Sequence, residues 1–225
     1  MATIYLLRHA ESSANSAGIL AGRLPSISLS RAGKVQSRAI VKTLKDLEIT
    51  HIYSSPIQRC LETIEPFAKS SNRKVTSAPN FIEMDYGDWS GRKLSALRRE
   101  KLWKSIQKRP STVRFPNGES FQEMQARIKK GLNELAKKHK KGRVLVVSHG
   151  DPIKVVIASA LGMNLDDFQK LVVDPASLTI IDWPSGTLLG SNIPLLPIKK
   201  KTAKREAGIT KRRVLGGGTN VQGAF

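Results

Sequence analysis

Two short apolar runs in this chain end on a histidine. Thr3 to Leu7 leads into Arg8-His9, and RVLVVS, residues 143–148, leads into His149-Gly150 far downstream. Arg59 falls in the first turns of a helix expected after Ser54-Ser55-Pro56, and Glu83 falls in the irregular stretch FIEMDYG. Arginine presents a fixed fork of donors that matches phosphate oxygens. Two arginines and two histidines around one point therefore make a pocket for a tetrahedral dianion. A carboxylate beside that pocket suggests proton transfer to a leaving group. The combination points to phosphoryl transfer.

Such residues meet only if the elements bring them to one place. The runs 3–7 and 143–148 are continuously apolar, as strands buried on both faces of a parallel sheet must be. THIYSS (50–55) and residues 74–77 read as further strands. Ser30 caps a helix expected to run to about Leu47, with Ile40, Leu44 and Leu47 on its apolar face. Pro56 suits the first turn of a helix carrying Ile57, Leu61, Ile64 and Phe67. Ser120 and Glu123 fit a capping box ahead of a helix from Phe121 to about His139. Pro152 opens a helix from Ile153 to Leu161, and residues 177–183 and 187–189 form a hairpin around Ser185-Gly186. The basic stretch from Arg92 to Arg109 reads as a solvated face, and Trp89 and Trp103 as packing residues. Strands alternating with helices imply an α/β sandwich with a mainly parallel sheet. Ligands bind such sheets beyond the carboxyl ends of the strands, where His9 and His149 both fall.

The segments holding these residues resemble a known family. LLRHAESSAN is similar to the R-H-G signature of the histidine phosphatase superfamily, branch 1 (phosphoglycerate-mutase-like), with Asn15 at the usual spacing after the histidine. SSPIQRCLET resembles its S-x-x-x-R-x-x-x-T segment, FIEMDYGDWSG its E-x-x-x-G-x-x-x-G segment, and VVSHGDPIK its second H-G motif. The four stand in family order across about residues 3 to 190. The resemblance implies a three-layer α/β/α sandwich and a metal-independent phosphomonoester hydrolase, free of cofactors, acting on a small phosphorylated metabolite. It implies that His9 is the nucleophile that becomes phosphohistidine, that Arg8, Arg59 and His149 hold the phosphoryl group, and that Glu83 is the proton donor. Ser12 and Asn15 become phosphate-side contacts. Ala10 replaces the signature glycine, and GRLPSISLSRAG is one residue longer than the usual loop and lacks its acid. The chain between Glu83 and PNGES is short, without the insert of true phosphoglycerate mutases, which favours phosphatase over mutase.

Composition narrows the remaining choices. With 40% hydrophobic and 25% charged residues, the chain is neither wholly disordered nor collagen-like. No apolar run approaches the ~18 residues of a membrane span, and no cationic segment leads an apolar one, so a cytoplasmic protein is expected. The single cysteine, Cys60, agrees with a reducing compartment. The net charge is +20, and from Lys199 onward there are eight Lys/Arg and one acid, Glu206. Residues 1–196 are expected to form the catalytic domain and 197–225 a disordered basic tail, able to touch nucleic acid or an anionic surface. Other readings are a phosphomutase, if a phosphorylated product returns to the histidine, and a binding module for nucleic acid or an acidic partner. A metal site drawing on Glu11 and Asp151 beside the histidines is disfavoured, because the arginines would repel the cation.

Overall fold

The computed structural model describes residues 2–195, so the boundary at 196 and the tail 197–225 lie outside the described residues. Six strands form one sheet: β1 (Ala2–Arg8), β2 (His51–Ser54), β3 (Val75–Ser77), β4 (Arg143–Ser148), β5 (Ser177–Trp183) and β6 (Thr187–Pro194), in the order β3-β2-β4-β1-β5-β6. The strands β1, β2, β3 and β4 are mutually parallel, and β5 and β6 are antiparallel at one side. The helices are α1 (Ser13–Ser16), α2 (Arg31–Lys45), α3 (Gln58–Ser70), α4 (Leu94–Leu97), α5 (Lys101–Lys108), α6 (Phe121–Lys138) and α7 (Gly150–Ala160).

Alternation along the central strands divides the core in two. Ile4, Leu6, Val144 and Val146 pack with Ile128 and Leu132 of α6 and Ile153 and Ile157 of α7. Tyr5, Leu7, Leu145 and Val147 face the other way, onto Ile40 and Leu44 of α2 and Ile64 and Phe67 of α3. Each fully buried aliphatic chain contributes ~1.5–3 kcal/mol, so both layers are strongly held to the sheet. This is the α/β/α sandwich the sequence implies, with a mainly parallel sheet.

Several boundaries differ from the sequence reading, for physical reasons. Ser55 still pairs with β4, its N–H donating to the Val147 carbonyl at 2.9 Å, so Pro56 precedes the cap Ile57 and α3 begins at Gln58. Pro66 lies inside α3. A proline there cannot donate to the carbonyl four residues back. The Ser37 hydroxyl of α2 donates to that Glu62 carbonyl instead, at 3.1 Å. Helix α7 starts at Gly150, ahead of Pro152, which still falls in the first turn where no N–H is needed. Strand β6 runs on to Pro194. The basic stretch holds α4 and α5, and α5 buries Ile106 while Leu102 and Trp103 pack on the core. Trp103 stacks on Trp89 at 6.4 Å between centroids.

Candidate active site

Strands β1 and β4 are neighbours in register, Arg8 opposite Ser148. The His9 N–H donates to the Ser148 carbonyl at 2.9 Å, so the two chains leave the sheet together. The rings of His9 and His149 meet edge to face, 5.2 Å apart. Arg59, at the start of α3, reaches both: its Nε donates to His9 Nε2 at 3.2 Å and its Nη2 to His149 Nδ1 at 3.1 Å. Nη2 also meets the Gly22 carbonyl at 2.8 Å, and the buried Nη1 has no hydrogen-bond partner among the described residues. Arg8 Nη1 donates to the Val173 carbonyl at 2.6 Å. Glu83 Oε2 lies 3.9 Å from His149 Nδ1, and its Oε1 accepts from the Met84 N–H at 2.9 Å. Arg8, His9, Arg59, Glu83 and His149 are all at least 96% buried.

The partners define the imidazole tautomers. A carbonyl only accepts, so the 2.7 Å contact of His9 Nδ1 with the Ala10 carbonyl places the proton on Nδ1. Nε2 is then a lone pair facing Arg59. An arginine only donates, so His149 Nδ1 accepts and its Nε2–H donates to Ser55 Oγ at 2.8 Å. Burial, reinforced by Arg59 and then Arg8, holds the His9 pKa well below its ordinary value; burial, Arg59 and His9 do the same for His149. Glu83 moves the other way: burial, and next the charge of Asp151, push it up to about 7 against the opposing pull of Arg59. The site thus holds a neutral imidazole lone pair, a guanidinium donor and a carboxyl that keeps its proton near neutrality.

The histidine phosphatase superfamily (branch 1) matches the chain over residues 4–189. The chain belongs to that family. Phosphoserine phosphatase 1 of Hydrogenobacter thermophilus is 34% identical over 184 residues, 80% of this chain and 86% of that one. A probable phosphoglycerate mutase GpmB of Erwinia tasmaniensis is 30% identical over 193 residues, 85% of this chain and 89% of its own. The crystal structure of an Entamoeba histolytica phosphoserine phosphatase with 3-phosphoglyceric acid superposes with a TM-score of 0.77 at 25% identity, covering 85% of this chain and 97% of that one. The protein is an enzyme of phosphomonoester chemistry.

This histidine phosphatase brings together five of the seven residues singled out in the sequence, Arg8, His9, Arg59, Glu83 and His149. Ser12 and Asn15 stand just beyond His9 and are tied to each other. Asn15 Oδ1 accepts from the Ser12 N–H at 3.0 Å and Oγ at 2.9 Å, a capping box that starts α1. Glu11 accepts from Ser30 Oγ at 2.6 Å, and Asp151 accepts from the Tyr86 hydroxyl at 2.7 Å with Lys154 Nζ 3.9 Å away. Among the described residues, no three His, Cys, Asp or Glu side chains are placed to hold a metal ion.

Other residues at the site escape the sequence reading. Ser55 orients His149, and Thr63 Oγ1 accepts from the Ala10 N–H at 2.9 Å while donating to the Arg59 carbonyl at 2.6 Å. Thr63 thereby joins the loop after β1 to α3. Both lie inside the S-x-x-x-R-x-x-x-T-like segment, which was their available signal. Cys60 Sγ rests 3.4 Å from His149 Nε2, and burial pushes its thiol up to about 12. Arg127 and Glu119, behind Glu83, fall outside the four family-like segments, Glu119 within PNGES.

Proposed function

We propose that this enzyme hydrolyses a small phosphorylated metabolite through a phosphohistidine at His9, without a metal. The observation that carries the reading is the His9 ring: its Nδ1–H is fixed on the Ala10 carbonyl, which directs the Nε2 lone pair into the cluster formed by Arg59, His149 and Glu83. In the first step that lone pair forms a bond to phosphorus and the P–O bond to the leaving group breaks. Glu83 gives its proton to the departing oxygen. In the second, ionised Glu83 takes a proton from water, the water oxygen bonds phosphorus, the N–P bond breaks, and inorganic phosphate leaves. Arg8 and Arg59 stabilise the equatorial oxygens, and one such preorganised donor is worth roughly 3–4 kcal/mol of barrier. His149, neutral in the free site with its Nε2–H on Ser55, joins them when the bound dianion draws a proton onto Nδ1. Asn15 Oδ1 is committed to its cap, which leaves Nδ2 as its phosphate-side donor, with Ser12 beside it. The lone, buried Cys60 supports a cytoplasmic setting, and among the described residues no helix is long and apolar enough to cross a membrane.

The test is His9→Ala with a panel of phosphorylated metabolites, followed as phosphate release and as acid-labile label on the protein. The variant is expected to lose both turnover and label, and the wild type to keep its rate in excess EDTA. Normal turnover by His9→Ala would overturn the phosphohistidine route. Loss of activity in EDTA with rescue by a divalent cation would overturn the metal-free one. The resemblance to GpmB supports the mutase as a second reading. Transfer of label to a second organic acceptor, in place of release as phosphate, would establish it.

A further inference from the structure

A general acid is only as well aimed as the main chain that carries it, and the Glu83 main chain is held from two sides. On one side stands Arg127 of α6. Its Nη1 donates to the Asn80 and Ile82 carbonyls, both at 2.8 Å, and its Nη2 to the Glu83 carbonyl at 3.1 Å. Glu119 grips this guanidinium in a bidentate pair, Oε1 at 2.6 Å from Nη2 and Oε2 at 3.1 Å from Nε. The same Oε1 accepts from the Asp85 N–H at 3.1 Å. On the other side stands Arg23, next to the Gly22 whose carbonyl meets Arg59. Arg23 Nε donates to the Glu83 carbonyl at 2.9 Å, its Nη2 lies 3.0 Å from Glu119 Oε1, and its Nη1 lies 3.3 Å from Asp85 Oδ2.

We propose that Arg127, gripped by Glu119 and completed by Arg23, is the positioning device of the Glu83 acid. The proposal rests on the reading of Glu83 as proton donor. Backbone carbonyls on both flanks of the acid accept from a rigid fork, so the peptide planes that set the direction of its side chain cannot rotate without breaking charge-assisted bonds. Lysine supplies one point charge and cannot meet three carbonyls and a bidentate carboxylate at once. Misplacing a catalytic group by about 1 Å costs roughly 10²-fold in rate, so the clamp bears on the step that needs the acid.

The step that needs the acid is departure of a poor leaving group. A good one leaves unaided, so the ratio of kcat on an alkyl phosphate to kcat on p-nitrophenyl phosphate reads the aim of Glu83 and not the general health of the fold. Wild type, Glu83→Gln, Arg127→Lys, Glu119→Gln and Arg23→Gln are to be compared by that ratio, with melting temperature measured alongside. Arg127→Lys is expected to lower the ratio about tenfold, and Arg23→Gln, whose side chain is 32% exposed, about threefold with its melting temperature near wild type. Should Arg127→Lys fail to fold, Glu119→Gln and Arg23→Gln decide. If Glu83→Gln lowers the ratio but the folded clamp variants leave it at the wild-type value, the clamp is wrong and the acid stands. If Glu83→Gln itself leaves the ratio unchanged, the acid assignment falls and the clamp proposal with it.

Discussion

A carboxylic acid serves as proton donor only while it holds its proton, and Glu83 is kept protonated by burial. Its pKa of about 7 in the fold, against an ordinary 4.5, means that the native state binds a proton the unfolded chain lacks between those values. The stability this group contributes is therefore full below about 4.5 and is lost as pH rises through 7, a cost of ~3 kcal/mol by pH 8. Glu83→Gln removes that titration. Chemical denaturation is expected to show the variant more stable than wild type at pH 8 by up to ~3 kcal/mol, with the gain vanishing near pH 4.5. A pH-independent difference would show that Glu83 is not held protonated by the fold. The histidines act in the opposite sense, since their lowered values make the native state lose stability as pH falls below 6.5. Arg8, His9, Arg59, Glu83 and His149 were legible because each sits in a stretch of recognisable residue types. Arg127 was not, because its partners are mostly main-chain carbonyls, which every residue carries, and Glu119 was not, because it is joined to the site through Arg127, Arg23 and the Asp85 N–H. No residue pattern marks such contacts.

Elements place those side chains through close backbone approaches. Gly33, in the first turn of α2, lies against Glu11: a Cβ built there would stand 1.9 Å from the Glu11 carbonyl oxygen, which itself accepts from the Ser30 N–H at 2.9 Å. Helix propensity alone favours alanine over glycine by ~1 kcal/mol, while forcing an atom into packed surroundings costs ~1–3 kcal/mol. The neighbour is backbone and cannot swing aside, so the clash is expected to win. Gly33→Ala should be destabilised by up to ~2 kcal/mol, and, because Glu11 stands two residues from His9, should also lose kcat. A variant more stable than wild type would show that the loop yields freely. At Gly87, φ +50°, a built Cβ would likewise stand 1.9 Å from the Pro116 carbonyl oxygen, so the loop after Glu83 needs glycine there. The strands β1 and β4 were readable because burial on both faces leaves an unbroken apolar run, and α6 because its capping box is local. Helix α1 was missed because it is a single turn held by Ser12 and Asn15. The passage of α3 through Pro66 depends on Ser37 of another helix, a long-range contact that local residue types do not report.

Among the described residues, a run of exposed cations is tied to the segment that covers Arg59. Leu20 pairs with Arg92 and Ile19 bridges Lys93, so the segment that passes Gly22 over Arg59 is joined to the basic helices α4 and α5. Arg92 pairs with Glu100, whereas Lys93, Arg98, Arg99, Lys101, Lys104 and Lys108 are exposed and in no ion pair with the described residues. Such a field concentrates anions near the site, and clefts of one sign raise association by 10- to 10³-fold at low salt. The Debye length shrinks from ~30 Å at 0.01 M to ~10 Å at 0.1 M, so this attraction weakens over that range. For a dianionic phosphate ester, kcat/KM is expected to fall several-fold between those ionic strengths while kcat holds. The double variant Lys101→Glu, Lys104→Glu, at two exposed positions outside the residues named for the chemistry, should start lower and converge on wild type at high salt. Truncation after Leu196 separates two sources of the field: all six strands and every site residue named here precede it, so the shortened chain should keep its kcat and most of the salt slope. A slope that disappears on truncation would move the attraction to the tail, and one unchanged by the charge reversal would remove α5 from it.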